Sequence, residues 1–192
     1  MKTWALPLAL IVAASATACL GTSPEEEARR ALGPEPRLGG GGGEHDEDKG
    51  PEHRPGQPCL VCHGGEGGGG DDESTFVVAG TVFLFATDTI GVPDAEVLIT
   101  DDVGHELTAV TNRTGNFMVE RGGHGTAPVL RRDGRVSIPW DLVFPLSIAV
   151  RYGAEEKTMR NRAYREGSCA GCHAPRIGAD SAGRVFIRDP VP

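Results

Sequence analysis

Two pentapeptides constrain this chain more than anything else in it: Cys59-Leu60-Val61-Cys62-His63 and Cys169-Ala170-Gly171-Cys172-His173. Both read C-x-x-C-H. Two thiols three positions apart share one face of a helical turn, and an imidazole follows at once. That grouping suits covalent attachment of a c-type haem: the thiols add to the two vinyl groups of one porphyrin, and the histidine stands beneath the iron. The spacing predicts two haems c, one on Cys59 and Cys62 and one on Cys169 and Cys172, with His63 and His173 as proximal iron ligands.

Structural zinc is the competing reading, because two C-x-x-C pairs can supply four thiolates. Here 106 residues, positions 63 to 168, separate the pairs, whereas zinc ribbons close their site over ~15–20. A histidine also follows both pairs. With 6 His among 192 residues, that coincidence has odds of about one in a thousand. A redox dithiol belongs in a thioredoxin-like βαβ setting, and neither pair has one.

The compartment agrees with haem. Residues 1–18 read as a secretion signal, with Lys2 at the positive end, an apolar run from Ala5 to Ala16, and Ala16-Thr17-Ala18 before Cys19. The run is short of the ~20 apolar residues that a spanning helix needs. Four of the five cysteines fall in pairs, leaving Cys19 over. Its placement resembles a bacterial lipoprotein signal, in which cleavage leaves a lipidated cysteine at the new N-terminus. Ala16 departs from that pattern, which usually has leucine there. An ordinary cleaved signal ending near Ala18 is the plainer alternative. The resemblance implies export and a lipid anchor on a bacterial membrane, facing the periplasm or the cell surface. Haem attachment outside the cytoplasmic membrane fits the same compartment.

Residues 19–52 read as a flexible tether. Pro24 to Glu27 is acidic, Gly39 to Gly43 is a pentaglycine, and Glu44 to Lys49 is a charge run. A second glycine-rich acidic stretch, Gly64 to Glu73, follows the first motif. Nothing in it can shield a porphyrin, so a haem there is expected to be partly exposed. The formal charge is −8, and −9 once Lys2 is removed. That balance argues against nucleic-acid binding and is compatible with a basic redox partner.

From Thr75 the pattern becomes short strands separated by turns. Phe76 to Phe85 is one β-rich run, Ala95 to Asp101 alternates, and Leu107 to Thr111 leads through the Asn112–Gly115 turn into Asn116 to Glu120. Phe144 to Tyr152 and Arg184 to Arg188 are later candidates. Strands at ~8–12-residue intervals suggest a β-sandwich. Ala154 to Glu166 has helical composition and contains Met159.

Residues 79–119 resemble the carboxypeptidase regulatory-like, transthyretin-like β-sandwich found in many exported bacterial proteins. The resemblance is carried by Ala79-Gly80-Thr81-Val82, by Gly91-Val92-Pro93-Asp94-Ala95-Glu96-Val97, by Asp101 with Gly104, and by Thr111 through Gly115-Asn116-Phe117. Asp94 stands where that family commonly has glycine. The resemblance implies a non-catalytic scaffold. The expected fold class is mainly β: a transthyretin-like or Ig-like sandwich over 75–153, flanked by haem-binding segments at 53–74 and 154–192.

The whole arrangement also resembles bacterial multihaem cytochrome-like proteins with a haem motif on either side of such a sandwich. In that pattern a histidine commonly stands six residues before the first cysteine, as His53 stands before Cys59. The resemblance implies His53 as a distal iron ligand, on its own haem or the other. Met159 is a second candidate, whose thioether would raise the potential; plain hydrophobic packing is its alternative. His45, His105 and His124 read as surface or turn residues, and Met118 as core.

The expected function is electron transfer at the cell envelope between redox partner proteins. Two other classes stay open: a haem enzyme with an open iron, for which no arranged acid–base residues are visible, and a zinc-stapled binding module.

Overall fold

The computed structural model describes residues 50–64, 75–122, 125–165, 167–174 and 181–189. The expected signal, Cys19, the tether as far as residue 49, most of the glycine-rich stretch after the first motif, His45 and His124 lie outside the described residues. Among the described residues no helix is long and apolar enough to cross a membrane.

The chain is mainly β. In order come β1 (Phe76–Thr81), β2 (Phe83–Phe85), β3 (Glu96–Thr100), β4 (Glu106–Val110), β5 (Asn116–Arg121), β6 (Val129–Leu130), β7 (Arg135–Ile138), β8 (Ser147–Tyr152), β9 (Glu155–Thr158) and β10 (Phe186–Arg188). One four-stranded sheet runs β1-β5-β7-β6, another runs β4-β3-β8-β9, and β10 pairs with β2. The alternation in β3 and β4 explains their placement: Val97, Ile99, Leu107 and Ala109 point inward while Leu98, Glu106 and Thr108 do not. They meet Val78, Phe117, Val119, Val136 and Ile138 of the first sheet in one apolar core. Burying each such Val, Ile or Phe contributes about 1.5–3 kcal/mol.

The run Phe76 to Phe85 is not one strand. β1 pairs antiparallel with β5, and β2 pairs parallel with β10. The switch falls at Val82, whose N–H bonds to Gly115 and whose carbonyl takes the Val92 N–H. Both partners are supplied by segments remote in sequence.

Of Ala154 to Glu166, read from its composition as helical, the described part, Ala154 to Arg165, is a strand and loop. Glu155 to Thr158 forms β9, antiparallel to β8. A two-residue turn joins them, with Gly153 at φ +61°, the positive φ that such hairpins require. The Glu-Glu-Lys-Thr sequence suits a solvent-facing edge strand, where charge discourages further pairing. Strands are thus drawn into the sheets from both sides of residue 153. Asp94 adopts φ +58°, the left-handed conformation that favours glycine.

Candidate functional site

Both C-x-x-C-H motifs adopt the same local structure. Leu60–His63 and Cys169–Cys172 are each one helical turn. The His63 N–H bonds to the Cys59 carbonyl at 3.0 Å, and the His173 N–H to the Cys169 carbonyl at 2.8 Å. One turn is as much helix as the spacing needs to bring a histidine under its cysteines.

The two motifs meet at β1. Cys59 and Leu60 pack on Phe76, Ala79 and Met118, the outward row of the first sheet, where Ala79 stands opposite Met118. Cys169 packs against the inner core, and a Cβ on Gly80 would stand 2.8 Å from its sulfur. β1 is an edge strand, and its open side is taken by the segment entering the second motif: the Ala79 N–H bonds to the Gly167 carbonyl at 2.9 Å, and Ala79 bridges Ser168 in parallel. A Cβ on Gly167 would lie 3.2 Å from Leu60 of the first motif. The two motifs are thus brought together through a shared strand.

His53 and His63 are neighbours, with ring centroids 5.8 Å apart and planes tilted by 59°. An imidazole nitrogen bonds a metal at ~2 Å, so the two rings are near enough for one metal ion to be held by both. The Nδ1 atom of His53 faces the Gly50 carbonyl. A carbonyl only accepts, so Nδ1 donates, and in a neutral ring this leaves the lone pair on Nε2. His173 is held alike, its Nδ1 donating to the Gly183 carbonyl at 2.9 Å. His63 also packs on Phe76 at 4.8 Å. These contacts give two imidazoles in the tautomer a metal requires, each oriented by a backbone carbonyl.

The chain around His173 closes on itself. The Ala182 N–H bonds to the Cys172 carbonyl at 3.0 Å, the Ser181 hydroxyl donates to Ala174, and the Gly183 N–H bonds back to that hydroxyl. The structure describes the backbone of Cys62 within the first turn, and it leaves Cys172 exposed. Met159 is half-buried just past the end of β9, with its N–H on the Ile148 carbonyl. His105 bonds the buried Asp101 and stacks on Trp140 at 5.0 Å, on a turn of the second sheet.

One charged network lies on the same outward face as the first motif. Arg135, opposite Met118, pairs with Asp133 at 2.6 Å and reaches Glu120 at 3.5 Å. Burial pushes the Asp133 carboxyl up, but the hydrogen bonds and charge of Arg135 outweigh it and hold it below the usual range. Glu120 also accepts from Ser137 at 3.1 Å.

Sequence reasoning missed the polar residues that hold His53, namely Thr81, Asn112, Thr114 and Asn116. Their legible signal was the density of Asn and Thr in Thr111-Asn112-Arg113-Thr114-Gly115-Asn116, more than a turn needs.

Among the described residues no group of three or more His, Cys, Asp or Glu is gathered as a metal site. Comparison with protein-family models, curated proteins and solved structures found no match.

Proposed function

We propose that this chain is a dihaem c-type cytochrome of the bacterial cell envelope that carries electrons between redox partners. The facing sheets serve as a transthyretin-like sandwich, and its edge strand β1 seats both haem peptides. The observation that carries this reading is the spacing of His53 and His63, 5.8 Å between ring centroids, beside a C-x-x-C-H turn. Bound haem supplies reversible one-electron chemistry at iron. The protein's part is placement: Cys59 and Cys62 would anchor the first group, His63 and His53 would ligate it, and Cys169, Cys172 and His173 would hold the second. With both imidazoles bound, the first centre would be suited to carrying electrons rather than to activating a substrate.

The seating of the motifs favours haem over a shared zinc. Cys59 packs on the outward row of β1 and Cys169 on the inner core, so these two cysteines lie on different sides of one strand. A four-thiolate tetrahedron needs them to converge. Through lipid on Cys19 the molecule would sit at a membrane, with the tether giving the folded body reach.

The test is a pyridine haemochrome spectrum with intact mass, on the full chain exported alongside a haem-attachment system. Two covalent haems per chain are expected, and Cys62→Ser or Cys172→Ser should each remove one attachment. A chain without haem that carries zinc by elemental analysis would end the electron-transfer reading.

A further inference from the structure

The short segment that carries His53 is fastened to the sheets by a buried polar clamp. The Asn116 amide donates to the His53 carbonyl at 3.0 Å and to the Pro51 carbonyl at 3.3 Å. The Asn112 amide also donates to Pro51, at 2.7 Å. The Thr114 hydroxyl donates to the Glu52 carbonyl at 3.0 Å. Three residues beyond His53, the Gly56 N–H bonds to the Thr81 hydroxyl at 2.7 Å, and that hydroxyl donates to Asn116 at 2.6 Å. Thr81, Asn112 and Asn116 are each at most 5% exposed.

Buried polar side chains are costly unless satisfied, and these are satisfied to a large extent by residues 51–56. Asn112 also organises its own turn, accepting from the N–H groups of Thr114 and Asn116. Asn116 is different: its side chain is spent on Pro51, His53 and Thr81, and so joins the ligand segment to β1. Arg54 at φ +52° and Gly56 at φ +79° give that segment a tight, defined path between its anchors. Backbone carbonyls on both sides of the His53 side chain are thereby fixed: its own by Asn116, and Gly50, which takes the His53 N–H at 3.1 Å.

From this we infer that Asn116, with Thr81 and Asn112, is the positioning device that keeps His53 on the iron of the first haem, so that the turn before β5 sets whether that iron is closed or open. This rests on the dihaem reading and extends it: coordination at one centre is controlled from a turn of the sandwich. The histidine is the ligand, and the clamp acts through it.

The experiment uses the full exported chain loaded with haem, comparing wild type with Asn116→Ala, Thr81→Val and His53→Ala. Haem count comes from intact mass, spin state from absorption and electron paramagnetic resonance, and ligand access from carbon monoxide binding to the reduced protein. Asn116→Ala is expected to keep two covalent haems while about half of the total haem signal turns high-spin and takes up carbon monoxide, as in His53→Ala. Added imidazole should return it to low spin. Thr81→Val, close in shape, should move the same way and stands in if Asn116→Ala fails to fold. The inference is overturned if His53→Ala opens one iron while both clamp variants stay low-spin and closed. If His53→Ala itself leaves the spin state unchanged, His53 is not a ligand and the clamp has no such role. Wild type without haem would overturn the functional reading as well, a result the mass alone distinguishes.

Discussion

Gly80 and Cys169 are fitted to each other: a Cβ built on Gly80 would lie 2.7 Å from the Cys169 Cβ and 2.8 Å from its sulfur, with the Phe117 ring at 3.2 Å. A glycine inside a strand loses packing and backbone entropy, so its presence in the middle of β1 calls for such an approach. Here the second motif approaches the strand from the inner side, while Cys59 and Leu60 lie on Ala79 and Met118 of the outward row.

Gly80→Ala is therefore expected to displace Cys169, since neither the Cys169 Cβ nor the Phe117 ring is the end of a flexible chain. Overpacking of this kind costs about 1–3 kcal/mol. Beyond the lower urea midpoint, intact mass should show a fraction of molecules with a single haem. Full double attachment at the wild-type midpoint would mean that Cys169 does not depend on this contact.

A second prediction concerns Asp101, at the end of β3. Its buried carboxylate accepts the N–H groups of Val103, His105 and Val143 and the His105 ring Nδ1. Burial pushes its pKa up, but the hydrogen bonds from His105 and Val143 together outweigh burial and hold it below the ordinary value. A depressed carboxyl adds stability above the unfolded pKa of about 3.9, and that stability is lost as pH falls through the folded value. Asp101→Asn turns one acceptor into a donor facing the Val143 N–H, at an expected cost of about 2 kcal/mol near neutrality. Urea titrations should show the gap between wild type and variant narrowing below about pH 4; a gap that stays constant to pH 2 would refute it.

How much of this was legible beforehand differs by element. β3, β4 and β5 were, because Val97, Ile99, Leu107, Ala109, Phe117 and Val119 alternate toward one core and period two is a local signal. β6 and β7 were not. Val129 and Leu130 form a two-residue strand with both side chains exposed, and such a strand is defined by its partner rather than its pattern. β9 was hidden by composition, since Glu-Glu-Lys reads as helix until Gly153 turns the chain back onto β8. At the candidate site, the cysteines and His63, His173 and His53 could be named from spacing and resemblance. That His53 lies beside His63 could not, because residues 50–57 are held there by side chains some sixty positions away, such as Asn112 and Asn116. Met159 was picked as a thioether in the segment before the second motif, and the structure places it just past β9 with its N–H on the Ile148 carbonyl.

The last prediction tests the support of His173. Gly183 has φ +80°, a conformation that costs a residue with a Cβ about 1–2 kcal/mol, and its carbonyl receives the His173 Nδ1–H at 2.9 Å. Its N–H, in turn, is held by Ser181 at 3.1 Å. Gly183→Ala should swing this carbonyl away, leaving the imidazole without its orienting acceptor and weakening it as a donor to metal. The expected outcome is selective: one of the two haem midpoint potentials moves in a spectroelectrochemical titration while the other holds, and the melting temperature falls modestly. Ser181→Ala, which adds no backbone strain, should shift the same potential by less. If both potentials moved together, or neither moved while stability fell, Gly183 would be serving the fold alone and His173 would draw its orientation from elsewhere.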